Sequence, residues 1–192
     1  MKKELIQIIE AKAKEHNLSA ALLMSFVETE SGGEGFDSKT GKIIIQFEPA
    51  WFKKRESYAP SGKWSVNKVE KQEAEWIAFN DAFKISPKSA MESTSIGLPQ
   101  IMGGNYKLCG FKTVDEFWDY MKIGLAEQIE CLIRFIKNSP NLFSAFQTRN
   151  FHLMATYYNG KSYQVLAKKL KREPYNITLE KNYNKYLKLG YK

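Results

Sequence analysis

Residues 19–33 have the sequence SAALLMSFVETESGG, an apolar segment that ends in a carboxylate and two glycines. Ser19 is a typical N-cap, residues 20–24 are strong helix formers, and the final Gly-Gly favours the backbone with which helices end. The sequence therefore predicts a helix that stops just after Glu30. We expect the rest of the chain to build a cleft around that carboxylate.

The helical period of this segment places Glu30 on an apolar face. At about 100° per residue, Leu23, Phe26 and Val27 share a face with Glu30, whereas Glu28 points well away and is expected in water. Burial and the negative end of the helix dipole both raise the pKa of a carboxyl group. Glu30 is thus either a general acid with a raised pKa or a capping or salt-bridged residue at a helix end.

Length and charge bound the class of protein. With 192 residues and 43% hydrophobic content, the chain is long enough for one well-buried domain and short for two, so we predict one domain over residues 1–192. The formal charge of +8 indicates attraction to a polyanion, either nucleic acid, a membrane surface or an anionic cell-wall polymer. Charge alone does not choose among these three.

The cysteines, histidines and N-terminal residues predict no metal, no cofactor and no export signal. Cys109 and Cys131 are expected as reduced thiols, and their spacing forms no metal-ligand pattern with His16 or His152. The charged amphipathic residues 1–16 are neither a signal peptide nor a membrane span, and no later run is apolar enough to cross a bilayer. We therefore expect a protein that is made in the cytoplasm and reaches an outside target through a membrane pore or by injection.

Helical periodicity recurs along the chain between turn signals. A first helix is predicted at 3–15, and Thr113 with Glu116 fits a capping box that opens one long helix to about residue 137. The remaining predictions are helices at 70–84, 87–91 and 144–158, an exposed loop at 53–69, and a basic C-terminal region after Lys168.

One stretch changes to β chemistry. Residues 37–41 favour a turn, and residues 43–48, IIIQFE, alternate with a period of two, which predicts a small hairpin. Glu48 is then placed to face Glu30, or it serves as a salt-bridge partner on the strand. The two faces of the predicted strand are Ile43, Ile45 and Phe47 on one side and Ile44, Gln46 and Glu48 on the other.

Carboxylates beside aromatic residues are the remaining groups that carry chemistry. With two histidines in the chain, histidine-based nucleophilic catalysis and zinc hydrolysis are poor fits. In glycoside hydrolysis, a protonated carboxyl group donates to the leaving oxygen, and a second group supports the oxocarbenium-like centre or activates water. The sequence suits that chemistry.

Several motifs, in order, resemble known signatures. Glu-Ser at 30–31, SIGLPQIM at 95–102 and ATYYNG at 155–160 resemble the goose-type lysozyme and lytic transglycosylase superfamily. The more extended set resembles the N-acetylmuramidase family found in phage endolysins. That set comprises VETESGGEGF at 27–36, Phe-Glu at 47–48, Glu-Trp at 75–76, QIMGGNY at 100–106 and YNG at 158–160.

The resemblance implies a mainly α, lysozyme-like helical domain with a small β-hairpin. It implies a glycoside hydrolase that cleaves peptidoglycan at the β-1,4 bond between N-acetylmuramic acid and N-acetylglucosamine. Glu30 would be the catalytic acid and Glu48 the candidate second carboxylate. The residues implied to contact substrate or to shape the cleft are Ser95, Gln100, Ile101, Tyr106, Tyr158 and Asn159.

Alternatives remain open on the sequence. A lytic transglycosylase needs one essential acid and forms a 1,6-anhydro end without adding water, and a non-catalytic binder of cell-wall glycans or nucleic acid would use the +8 charge. Gln100 is as readily a buried amide that ties loops together, and we expect one of Tyr157 and Tyr158 in the core. A monomeric enzyme of a phage, a prophage or an injected effector is the favoured reading.

Overall fold

The computed structural model describes residues 1–56 and 71–192, and helices dominate this part of the chain. The predicted class, mainly α with a small β element, is confirmed. The helices are α1 (Lys3–His16), α2 (Ala20–Ser31), α3 (Pro49–Arg55), α4 (Gln72–Ile85), α5 (Pro87–Glu92), α6 (Val114–Ile123), α7 (Leu125–Lys137), α8 (Pro140–Gln147), α9 (Phe151–Tyr158), α10 (Tyr163–Lys169) and α11 (Tyr175–Lys188). A 3-10 helix spans Gly103–Asn105, and the strands are β1 (Ile45–Phe47), β2 (Thr94–Ile96) and β3 (Ile101–Met102).

The chain divides into two compact units. The helical unit comprises Met1–Gly33 and Leu132–Lys192, and the mixed unit comprises Glu34–Cys131. The boundary at Cys131 and Leu132 falls inside α7. One domain over residues 1–192 stays a prediction.

In the helical unit, α2 is the buried element. Its predicted N-cap is confirmed, because the Ser19 hydroxyl accepts a hydrogen bond from the Leu22 N–H at 3.3 Å, and Gly32 ends the helix with a left-handed φ of 62°. All eight residues 20–27 are buried, so the apolar surface surrounds the helix rather than forming one stripe. Both α1 and α11 pack against α2.

In the mixed unit, three strands pair antiparallel in the order β1, β2, β3. Ile45, Ile96 and Ile101 form one row across the sheet, and all three are buried. The neighbouring row is Gln46, Ser95 and Met102, whose side chains are partly exposed. The sheet therefore has one face in the core and one open, partly polar face.

Side chains of α4 complete the hydrogen bonding of β1. The Gln72 amide accepts from the Ile45 N–H at 2.9 Å and donates to the Ile45 carbonyl at 2.8 Å. The buried Glu75 carboxylate accepts from the Phe47 N–H at 2.8 Å. The edge of β1 away from β2 is thereby covered, as exposed strand edges usually need to be.

The predicted hairpin at 35–48 is only partly correct. The turn is present, with the Asp37 carboxylate accepting from the N–H groups of Lys39 and Thr40, and Phe36 forms one bridge with Ile43. The strand β1, however, pairs with β2, which lies some fifty residues further along the chain. Local turn chemistry gave no signal for that distant pairing.

Two predicted long helices are each interrupted. The capping box of Thr113 and Glu116 is confirmed, but Gly124 adopts an extended backbone and separates α6 from α7. The predicted helix at 144–158 is α8 and α9, because Arg149 has a left-handed φ of 54° and Asn150 caps α9. In both cases the apolar period continues across the break, so periodicity alone did not reveal it.

Other expectations have mixed outcomes. The predicted loop at 53–69 is wrong for residues 53–55, which end α3, and residues 57–69 lie outside the described residues. Cys109 and Cys131 are both buried and are not joined by a disulfide bond. The basic C-terminal region forms α10 and α11, and within the described ranges we find no helix with the length and apolar content needed to cross a bilayer.

Candidate active site

Glu30 lies in the last turn of α2, as the sequence predicts. The helix ends one residue later at Ser31, whose hydroxyl donates to the Val27 carbonyl at 3.1 Å. At this end the backbone carbonyls of a helix carry partial negative charge, which disfavours an ionised carboxyl group. The Glu30 side chain is partly buried in the helical unit.

The hydrogen-bond donor to Glu30 is Tyr175, the first residue of α11. Its hydroxyl donates to Glu30 Oε1. Burial raises the pKa of Glu30 to about 7, while the hydrogen bond from Tyr175 and the positive charge of Arg172 act in the opposite direction. The side chain is therefore a carboxylic acid that exchanges its proton near neutral pH.

Tyr175 is itself held as a neutral phenol. Burial, the negative charge of Glu30 and the hydrogen bond to Glu30 raise the pKa of Tyr175 well above its usual value. A neutral hydroxyl can donate to the ionised form of Glu30 without contributing a charge of its own. Tyr175 can therefore stabilise the carboxylate that forms on Glu30 after its proton has left.

An aromatic cluster adjoins this pair. The ring of Tyr158 lies 4.8 Å from Phe26, 5.4 Å from Phe135 and 6.4 Å from Tyr175, between ring centroids. Tyr157 is exposed, so Tyr158 is the member of the pair that packs. Asn159, the C-cap of α9, is exposed. Glu30 and Tyr158 are therefore brought together through Tyr175.

The expectation that Glu28 lies free in water is wrong. Its side chain is partly buried and accepts hydrogen bonds from Tyr186 at 2.7 Å and from Lys185 at 3.0 Å, and the Met1 amino group lies 3.8 Å away. These residues belong to elements that pack on α2 from distant parts of the chain. The face of α2 away from Glu30 is thus covered as well.

Glu48 lies in the mixed unit, immediately after β1. Burial alternates along residues 43–48 as predicted, with Glu48 on the partly exposed face. Its carboxylate accepts a hydrogen bond from the Gln46 amide at 2.8 Å, and its N–H donates to the Ser93 carbonyl at 2.9 Å. Ser95 pairs with Gln46 across the strands, so Glu48 and Ser95 belong to the same open face.

The segment with QIMGGNY packs closely against its own unit. Gln100 has a left-handed φ of 48°, and its amide donates to the Gly97 carbonyl at 2.8 Å, so this side chain holds the loop. A Cβ atom on Gly103 would lie 2.0 Å from the Met91 carbonyl oxygen. These contacts explain the small residues of the segment by packing within the protein.

Two other predicted substrate contacts in this segment differ in the exposure of their side chains. Ile101 is 2% exposed and belongs to the buried row of the sheet, so its side chain packs in the core and its assignment as a substrate-binding residue stays a prediction. Tyr106 is partly exposed, and Lys107 lies 5.9 Å from its ring centroid. Tyr106 remains accessible to a ligand, whereas Ile101 does not.

Sequence reasoning missed Tyr175 and Arg172 as neighbours of Glu30. No motif links them to residue 30, which is 145 positions away from Tyr175. One signal was available, because the buried residues Leu179, Tyr183 and Tyr186 recur at helical spacing and predict a helix that begins near Pro174.

Within either unit, the described residues gather no trio of His, Cys, Asp or Glu suited to a metal ion.

Comparisons with known proteins agree with the motifs. Residues 19–187 match the family model described as Muramidase: N-acetylmuramidase. The crystal structure of the Burkholderia AP3 phage endolysin is similar with a TM-score of 0.75 and 28% sequence identity, over 96% of this chain and 71% of that chain. A search of curated proteins finds no match.

Proposed function

This chain belongs to the N-acetylmuramidase family, and we propose that Glu30 is its catalytic acid. The protein is a peptidoglycan-degrading muramidase, a glycoside hydrolase with the lysozyme-like fold that the sequence predicted. The observation that carries the proposal for Glu30 is the coincidence of a partly buried carboxyl group, a pKa of about 7 and a neutral hydroxyl donor.

In the proposed reaction, protonated Glu30 donates its proton to the oxygen that links N-acetylmuramic acid to N-acetylglucosamine. The C–O bond on the muramic acid side breaks, and the proton remains on the leaving hydroxyl group. Negative charge then develops on Glu30, where the Tyr175 hydroxyl and the charge of Arg172 stabilise it. A pKa near the working pH suits both proton donation and its reversal.

We propose that Glu48 is the second carboxylate, which activates water or supports the oxocarbenium-like centre. Its place on the open face of the mixed unit supports this role. One observation favours the alternative, since the Gln46 amide already engages the Glu48 carboxylate at 2.8 Å. If Glu48 has only that structural role, a one-acid lytic transglycosylase that forms 1,6-anhydro ends is the better description.

Sugar contacts are proposed for side chains that remain accessible. Ser95 and Tyr106 in the mixed unit, and Tyr158 and Asn159 in the helical unit, offer hydroxyl, aromatic and amide groups to a glycan. Gln100 contributes by holding its loop, since its amide is bonded to Gly97. We further propose a monomer that reaches the cell wall through a membrane pore or by injection, as in a phage, a prophage or an effector system.

The acid assignment is tested by Glu30→Gln on purified peptidoglycan. The variant keeps the shape and removes the proton, so clearing should slow by at least about 100-fold. Glu10→Gln, an exposed change of the same kind on α1, is the matched control and should clear like the parent. Equal activity of Glu30→Gln and the control would remove the proposal.

The role of Glu48 is tested by Glu48→Gln together with mass spectrometry of the released muropeptides. Hydrolysis leaves reducing ends, and loss of activity in Glu48→Gln by about 100-fold would fit a second catalytic carboxylate. Anhydro ends with little loss of activity would instead establish the one-acid transglycosylase. A non-catalytic binder predicts no products in either case.

A further inference from the structure

The helix α10 exposes apolar side chains to solvent. Tyr163 and Ala167, four residues apart, are buried and anchor one side of the helix, and the Tyr163 hydroxyl lies 2.6 Å from His152 Nδ1. Val165 lies midway between them in sequence and therefore on the opposite side. It is 72% exposed.

Two leucines of the same short segment are also exposed. Leu166 is 43% exposed and Leu170, at the end of the helix, is 53% exposed. With Val165 they place three apolar side chains within two turns of chain on the surface of the helical unit. Exposed apolar groups that occur together, rather than singly, indicate a surface that contacts something other than water.

The same stretch is strongly basic. Between residues 161 and 172 there are five cationic side chains and no acidic one. Glu173, the next acidic residue, is already paired with Lys181. The cations of the stretch are Lys161, Lys168, Lys169, Lys171 and Arg172.

We infer that this surface binds an anionic phospholipid bilayer, with Val165, Leu166 and Leu170 among the headgroups and Lys161, Lys168, Lys169 and Lys171 on the phosphates. We call these seven residues the α10 surface. A basic helix with exposed apolar side chains is typical of reversible attachment to a membrane surface. The +8 charge alone left three polyanions open, and the apolar residues favour the lipid, because a hydrophilic polymer offers nothing to cover them.

A second copy of this chain is a poorer occupant. A two-fold interface would bring the α10 surface against itself and place its four lysines opposite four others. Such like charges repel, whereas the headgroups of phosphatidylglycerol supply the complementary charge. Arg172 is left out of the α10 surface because its charge acts on Glu30.

The test is co-sedimentation of the full chain with vesicles of phosphatidylglycerol and phosphatidylethanolamine, compared with vesicles of phosphatidylcholine alone. The charge variant is Lys168→Gln/Lys169→Gln/Lys171→Gln, and its control, Lys3→Gln/Lys39→Gln/Lys112→Gln, removes the same net charge elsewhere. The apolar variant is Val165→Ser/Leu170→Ser. Its control, Ile77→Ser/Ile123→Ser, changes two similarly exposed residues of the mixed unit.

We expect binding to the anionic vesicles only, with partitioning reduced about 100-fold by the charge variant and about tenfold by the apolar variant. The controls should bind nearly like the parent, and all four proteins should digest peptidoglycan at the parental rate, which shows that they are folded. Loss of binding in the charge variant without loss in the apolar variant would overturn the inference in favour of a phosphate-rich polymer. If the charge variant and the apolar variant bind the anionic vesicles as well as their controls do, the α10 surface is not the site of membrane binding.

Discussion

Glu28 and Glu30 lie two residues apart at the end of α2, yet their pKa values shift in opposite directions. Burial raises the pKa of both. At Glu28 the hydrogen bonds from Tyr186 and Lys185 and the charges of Lys185 and the Met1 amino group outweigh burial, so the pKa is lowered. At Glu30 burial outweighs Tyr175 and Arg172, and the pKa rises to about 7.

One helix supplies hydrogen-bond donors to both carboxylates. Tyr175 begins α11, whereas Lys185 and Tyr186 lie in its last turns, roughly 16 Å further along at 1.5 Å per residue. Glu28 receives a neutral hydroxyl and an ammonium group, whereas Glu30 receives a neutral hydroxyl from this helix. The comparison teaches that the balance between burial and the number and charge of the bonded partners separates a structural carboxylate from one that can act as an acid.

The largest expected effect on this contrast comes from Glu30→Gln. Because the folded state raises the pKa of Glu30 from 4.5 to about 7, it binds more protons than the unfolded state across that window, and stability falls as pH rises through it. Glutamine removes this penalty. Unfolding by denaturant should show the variant gaining up to about 3 kcal/mol on the parent between pH 4 and pH 8. A parallel pH dependence in both proteins would mean that folding does not raise the pKa of Glu30.

Glu28→Gln should have the opposite sign. The lowered pKa means that ionised Glu28 stabilises the fold above its unfolded value, and this stabilisation is lost as pH falls through the folded value. We expect a loss of about 1–2 kcal/mol at pH 7 that disappears in acid, measured by denaturant unfolding. Peptidoglycan digestion per folded molecule should match the parent. Greater stability at pH 7 would contradict the pairing with Lys185 and Tyr186.

Tyr175→Phe removes the hydroxyl that donates a hydrogen bond to Glu30. The surroundings of Glu30 and Glu28 then differ further, because Glu28 keeps its own donors. Since that hydrogen bond lowers the pKa of Glu30, its loss should move the alkaline limb of the activity profile to higher pH. The limiting rate should fall by about 3- to 10-fold, because the developing carboxylate loses a donor. Tyr157→Phe, on an exposed tyrosine, should leave the profile unchanged. An unmoved limb in Tyr175→Phe would show that the hydrogen bond does not tune the acid.

The smallest effect is expected from Arg172→Gln. Its charge lowers the pKa of Glu30 without a hydrogen bond, so the alkaline limb should move upward by less than in Tyr175→Phe. Arg172→Lys should restore the parental profile because it keeps the charge. Since Arg172 is exposed, high salt should reduce the difference between the two variants. A downward shift would assign Arg172 another role.

The local parts of the site were predictable from short stretches of sequence. Ser19 and Gly32 fixed the ends of α2, the capping box of Thr113 and Glu116 fixed the start of α6, and alternation placed Glu48 on the open side of its strand. These features depend on hydrogen bonds and side-chain directions within a few residues. Local sequence patterns were therefore sufficient to predict these features.

Sequence predictions failed where distant segments meet. Glu28 is predicted to lie in water because the pattern of its own helix carries no information about Lys185 and Tyr186, which bond to it in the structure. Gly124 interrupts a periodic pattern that continues on both sides of it. Each error concerns a partner or a backbone angle that the neighbouring residues do not specify.

The amino-acid sequence by itself determined that α2 is an apolar helix with Glu30 in its final turn, that the chain is mainly helical, and that its motifs are those of an N-acetylmuramidase. Only the tertiary structure decided that Glu28 is a paired anion and that Glu30 carries a pKa of about 7, because both outcomes depend on where α11 packs. Helix ends and apolar faces follow from short-range interactions along the chain, whereas a pKa reflects desolvation and charges contributed by residues that are distant in sequence.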